Sequence, residues 1–169
     1  GIRVVRFEFP YMQKTRADGK RRPPDRAPVL LETWTAVIEA LGLENLIIGG
    51  KSMGGRIASL SAVHQEKAGK PVAGCICLGY PFHAPGKPEK LRAYHLAEIK
   101  TPCLILQGDR DPFGSKTELS SYRLSAAINI RFVADGEHTL IPRKSSGRTQ
   151  AENWDFAVKE LIRFISSID

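Results

Sequence analysis

Asn45-Leu46-Ile47-Ile48-Gly49-Gly50-Lys51-Ser52-Met53-Gly54-Gly55-Arg56 is the stretch that decides the fold. Its first part, Asn45 to Gly49, is a short apolar run of the kind that forms a strand buried on both faces. Beyond Ser52 the chain turns at once into a helical pattern, with Ile57, Ala58, Leu60 and Val63 on the apolar side. Between the two lies G-x-S-x-G, Gly50 to Gly54, centred on Ser52. On a strand-turn-helix path the turn is so sharp that its central residue takes a strained backbone conformation and projects its hydroxyl at the helix N-terminus. The flanking glycines are expected to keep side chains out of the crowded approach. Gly50-Lys51-Ser52 also ends the pattern of a phosphate-binding loop, G-x-x-x-x-G-K-[ST]. That pattern needs glycine where the chain has Asn45, and Leu46 to Ile48 are strand residues rather than a glycine cradle.

Working outward, further short apolar runs occur at Ile2 to Phe9, Val72 to Leu78, Pro102 to Gln107 and Ile128 to Ala134. They alternate with longer amphipathic stretches. Leu30, Trp34, Val37, Ile38 and Leu41 recur at helical spacing and stop at Gly42, a residue suited to the position just past a helix. Trp154, Val158, Leu161, Ile162, Ile165 and Ile168 repeat the pattern near the C-terminus. Alternation of this kind predicts right-handed crossovers and a mostly parallel sheet with helices on both faces, an α/β fold. Chemistry in such sheets sits at the carboxyl ends of the strands.

A serine hydroxyl needs a base there, and the base needs an orienting acid. Of four histidines, His138 follows the run ending at Ala134, on a strand-end loop. His83 also follows a strand end and is a candidate pocket residue, as is Lys51 beside Ser52. His64 and His95 read as surface or structural. The run ending at Gln107 is followed by two carboxylates, Asp109 and Asp111. Asp111 is favoured because it lies farther along the loop, whereas Asp109 is expected to bind loop N–H groups or to pair with Arg110. Residues 82–99, rich in proline and glycine, form either a short cap over a pocket or a plain connection.

The 169 residues are 42% hydrophobic and 25% charged, a globular composition that excludes disorder and coiled coil. No apolar run approaches the roughly 18 residues of a membrane span, so no membrane partner is expected. Three cysteines are too few for a disulfide scaffold, which favours a reducing compartment, the cytoplasm. Cys75 and Cys77 share one side of a strand, and without paired C-x-x-C spacing the cysteines read as packing, with no metal or other cofactor expected. The net charge is +7, concentrated in Lys14, Arg16, Lys20, Arg21, Arg22 and Arg26, a segment expected as a flexible basic loop. It carries no interleaved aromatics, which argues against nucleic acid, and it fits anionic small molecules.

The segments GGKSMGGR (49–56), LGYPFHAPGKP (78–88), LQGDRDPFG (106–114) and DGEHTL (135–140) resemble those of the α/β-hydrolase superfamily, and more narrowly a small dienelactone-hydrolase-like group of serine hydrolases. The order Ser52, Asp111, His138 is that family's nucleophile, acid, base order. The resemblance implies those three as a triad, Met53 N–H as an oxyanion donor, and cleavage of an ester, thioester or similar acyl bond. It also carries the alternative of a non-catalytic interaction module on the same fold. In this family a second oxyanion donor follows a strand that would precede Ile2. An upstream strand and helix of roughly 30 to 50 residues is therefore expected, with 1–169 as one domain lacking that strand and its loop.

Overall fold

The structure is a computed structural model that describes residues 1–168. Their backbone contacts divide into two compact units, Gly1–Leu41 and Gly42–Asp169.

In the first unit the run Ile2 to Phe9, expected as a strand, lies outside regular structure, and Ile2, Val4 and Val5 are exposed. A strand is completed only by a neighbour's hydrogen bonds, and no ladder includes these residues. Local aromatics order the end of the run instead. Phe7 meets Trp34 edge-on at 4.7 Å between ring centroids and Phe9 at 5.3 Å. The basic segment is also corrected, because its first part is helical. Helix α1 spans Pro10–Asp18, started by a proline whose fixed φ suits a first turn and ended by Gly19 at φ +71°. Helix α2 is Ala27–Leu41, with Leu30, Trp34 and Ile38 buried at the predicted spacing.

The second unit holds a parallel sheet of four strands in the order β1-β2-β3-β4. These are Ile47–Lys51, Gly74–Leu78, Cys103–Gly108 and Ile128–Val133. Register pairs Ile48 with Cys75, Cys75 with Cys103 and Ile105 with Ile130. Helix α3, Met53–Lys67, lies on one side of β1 and β2. Helix α4, Lys116–Leu119, is a single turn held by a capping box between Ser115 and Glu118. Helix α5, Gln150–Ile165, packs on β3 and β4, where Leu104, Leu106, Val133, Leu140 and Ala157 form a core. Each fully buried aliphatic side chain there contributes ~1.5–3 kcal/mol relative to exposure.

The side that α5 buries only partly matches its predicted apolar stripe, of which Leu161 packs against the same core. Trp154, Val158 and Ile162 are 53%, 51% and 50% exposed, whereas Asn153, Ala157 and Glu160 are buried. The buried polar groups are paired. Asn153 Nδ2 donates to the carbonyls of Ala134 and Leu140 at 3.1 and 2.9 Å, and Glu160 meets Arg131 at 2.9 Å. Residues 82–99 contain one 3-10 turn, Tyr94–Ala97, with Phe82, Leu96 and Ile99 buried and residues 85–90 exposed. No helix among the described residues is long and apolar enough to cross a membrane.

Candidate active site

All four strands run the same way, so the residues just past β1, β3 and β4 emerge at one edge of the sheet. Ser52 follows β1 at φ +52° and ψ −122°, outside the regions a side chain favours. Its own N–H donates to Leu78 O at 2.8 Å, and its carbonyl accepts the first helical bond from Arg56 N at 3.1 Å. The elbow is thus pinned to the sheet on one side and to α3 on the other. The glycines share the crowding unevenly. A Cβ on Gly50 would stand 2.7 Å from Gly54 C, and one on Gly55 2.7 Å from Gly50 O, whereas one on Gly54 would meet nothing within 4 Å. The tight contacts therefore fall on Gly50 and Gly55, while Gly54 has room for a side chain.

The structure brings Ser52, His138 and Asp111 together. Ser52 Oγ lies 2.8 Å from His138 Nε2, and His138 Nδ1 lies 2.8 Å from Asp111 Oδ2. Asp111 is fully buried and His138 half-buried. A buried carboxylate must be hydrogen-bonded to persist as an anion. Besides His138, Asp111 accepts Phe113 N–H at 2.8 Å on Oδ1 and Gln107 Nε2 at 2.9 Å on Oδ2. The Phe113 ring covers His138 with centroids 4.2 Å apart. Close backbone approach completes the arrangement. A Cβ on Gly79, at φ +61°, would be 2.6 Å from His138 O, and one on Gly108 would be 2.4 Å from Glu137 O. Sequence reasoning does not single out Gln107, Phe113, Gly79 or Gly108. The one signal it holds for Gln107 is a polar residue ending an otherwise apolar run.

Asp109 and Arg110 differ from expectation. Arg110 reaches across to the His138 loop, donating from Nε and Nη2 to Asp135 O at 3.1 and 2.7 Å and facing its carboxylate at 2.9 Å. Asp135 also accepts Arg143 N–H at 2.7 Å, and hydrogen bonding from the Arg143 side chain holds its carboxyl down at about 2. Asp109 Oδ1 is buried without a partner. Lys51 ends β1 exposed, one residue before Ser52. His83 is turned into packing, with Nδ1 donating to Ala84 O at 2.9 Å and Nε2 facing Glu118 at 3.4 Å. His64 is exposed on α3, and His95 Nε2 meets Ser59 Oγ at 2.8 Å. Met53 opens α3, so its N–H has no carbonyl partner one turn earlier.

Donors with metal-ligand spacing among the described residues are Cys75, Cys77 and Cys103, whose sulfurs lie within 4.8 Å of one another. The register of β2 against β3 adds Cys103 to the pair that sequence spacing puts on one side. All three are buried, and Cys77 Sγ donates to Gly55 O at 3.3 Å. Contact with Cys103, with burial, pushes the Cys75 and Cys77 thiols well above their ordinary value.

Set against known proteins, residues 1–166 match the family model described as alpha/beta hydrolase domain. ABHD14B of Rattus norvegicus, provisionally described as a protein-lysine deacylase, is 30% identical over 118 residues, or 69% of this chain and 51% of that protein. The chain thus spans about half the length of this curated relative. A solved alpha-beta serine hydrolase homologue from Coxiella burnetii is 21% identical with TM-score 0.54, over 72% of this chain and 58% of that one. The monoacylglycerol lipase of Paleococcus ferrophilus is 14% identical with TM-score 0.60, over 86% and 77%. At these identities the likeness to the two solved structures is one of fold.

Proposed function

The chain belongs to the alpha/beta hydrolase domain family, and from that premise we propose that it is a serine hydrolase cleaving an ester, thioester or similar acyl bond through an acyl-enzyme. One observation carries this reading: the unbroken chain Ser52 Oγ, His138 Nε2, His138 Nδ1, Asp111 Oδ2, with 2.8 Å at each hydrogen bond. His138 takes the Ser52 proton as the oxygen attacks the acyl carbon, then returns it to the leaving group. Asp111 accepts Nδ1–H, which fixes the tautomer that leaves Nε2 free as the base and stabilises the imidazolium that forms. Met53 N–H, at the positive end of α3, stabilises the oxyanion. Water, its proton taken by His138, then attacks the acyl-enzyme carbonyl, and the proton returns to Ser52 Oγ as the acid leaves.

Within the superfamily the chain falls with the dienelactone-hydrolase-like group, with Ser52 where dienelactone hydrolases in the strict sense use cysteine. The substrate class is a small acyl compound, and the exposed Lys51 beside Ser52 favours one bearing a carboxylate. The deacylase description of the rat relative fits acyl transfer to a serine, with the acyl group released from nitrogen rather than oxygen.

A fluorophosphonate probe tests the reading. Ser52 is expected to be the labelled residue. Ser52→Ala should abolish labelling and lower hydrolysis of short activated esters by on the order of 10⁴-fold or more, with the fold intact. A folded wild-type protein that takes no label and turns over no ester would instead be the interaction module on the same fold.

A further inference from the structure

Gln107 is the last side chain of β3 before its closing glycine, and it is fully buried. A primary amide in that position must place its oxygen and its nitrogen against opposite partners or lose free energy on each mismatch. Every partner agrees on one orientation. Oε1 accepts Tyr80 N–H at 2.7 Å, while Nε2 faces three acceptors: Asp111 Oδ2 at 2.9 Å, Gly114 O at 3.0 Å and Tyr80 O at 3.2 Å. Turning the amide over would set an oxygen against a carboxylate and two carbonyls, and an NH₂ against an N–H. The amide is therefore locked.

It is locked onto the oxygen that matters. Asp111 Oδ2 is the atom that accepts from His138 Nδ1. Asp111 is shielded from solvent, so the Gln107 N–H supplies one of the few donors that spread its charge and fix its rotation. Other charged groups nearby are committed elsewhere. Glu137 binds Thr139 N–H at 2.8 Å, Asp135 faces Arg110 and Arg143, and Glu118 binds Ser115 N–H at 2.7 Å. Asp109, two residues before Asp111, has no donor on Oδ1.

We propose that Gln107 is the positioning residue that sets Asp111 for His138: its amide, oriented by the Tyr80 backbone and Gly114 O, donates to the same carboxylate oxygen that receives the imidazole N–H. It touches no reacting atom and acts through Asp111. The proposal deepens the hydrolase reading, and its kinetic readouts rest on that reading.

Gln107→Glu keeps the size and the acceptor for Tyr80 N–H, but replaces the donor by an oxygen that donates only when protonated. Two buried carboxyl groups this close do not both ionise, so the introduced carboxyl keeps its proton, donates its O–H to Asp111 as the amide donates its N–H, and should leave kcat for a short activated ester within about threefold of the wild type. Gln107→Met keeps bulk and removes both donor and charge, and should lower kcat by about tenfold or more with KM little changed. Proton NMR of the His138 Nδ1–H, a downfield resonance readable without turnover, should shift in Gln107→Met and stay close to the wild-type position in Gln107→Glu. If Gln107→Glu fails to fold, Gln107→Met carries the kinetic and NMR readouts alone. A folded Gln107→Met whose kcat and Nδ1–H resonance superimpose on those of the wild type overturns the proposal. Should the wild type show no labelling at Ser52, the hydrolase reading falls while the resonance still decides the role of Gln107.

Discussion

At the scale of single residues, Ser52, Asp111 and His138 are legible because each follows an apolar run, and in a parallel sheet the ends of such runs converge. Gln107 is not legible in the same way, since its role depends on Tyr80 and Gly114 folding back over the end of β3, contacts that no local pattern encodes. The glycines of the elbow separate two roles that the motif merges. Gly50→Ala forces a Cβ to 2.7 Å from backbone and is expected to cost ~1–3 kcal/mol. Gly54→Ala meets nothing within 4 Å and sits in the first turn of a helix, where alanine is the better residue. It should hold stability or raise it by up to ~1 kcal/mol. Chemical denaturation of both variants checks this, and equal losses in the two would mean that the crowding is assigned to the wrong glycine.

At the scale of elements, strands β1 to β4 are readable as apolar runs, with β3 buried at every position and β2 at most, whereas β1 and β4 each bury one residue fully. The run Ile2 to Phe9 is also rich in Val, Ile and Phe, with Arg3, Arg6 and Glu8 set among them, and forms no strand, for pairing is a property of two segments and composition belongs to one. Helix α5 shows a related limit. Periodicity finds the helix, yet its stripe through Trp154, Val158 and Ile162 is half-exposed, and the side it buries carries Asn153 and Glu160. With apolar residues on more than one side, the pattern leaves the buried side undetermined. The loops after β3 and β4 are joined by a cation that sequence proximity would pair with Asp109. Arg110 instead binds the backbone and carboxylate of Asp135, three residues before His138. Arg110→Ala leaves Asp135 O without these donors and frees the two loops to separate. It should cost ~1–2 kcal/mol in urea unfolding and lower ester turnover more than Ser52 labelling. A variant with wild-type stability and turnover would show that the backbone bonds from Asp109 N to Val133 O and Arg110 N to Gly136 O suffice.

At the scale of the whole molecule, one contribution to stability against pH comes from His95, outside the triad. His95 joins the connection between β2 and β3 to α3 through Ser59, and burial, with the Arg56 cation adding to it, lowers its pKa to about 4 from the ordinary 6.5. The unfolded chain therefore takes up this proton near pH 6.5 and the folded chain only near 4. Across that window the unfolded state binds more protons, so stability is full above it and falls as pH drops through it. The loss is at most ~1.4 kcal/mol per pH unit for one proton and is reduced by whatever water reaches the ring. A second effect runs in the same direction, because the net charge of +7 grows as carboxylates are protonated and the chain repels itself. Salt separates the two, since screening weakens diffuse repulsion and leaves a half-buried ring nearly untouched. His95→Gln keeps an amide to meet Ser59 and removes the titration. In high salt its melting temperature should hold nearly level from about pH 6.5 to about 5, above the range where Glu118, Glu137 and Glu152 take up protons on unfolding, while that of the wild type falls. Parallel declines under those conditions would move the acid sensitivity to another group.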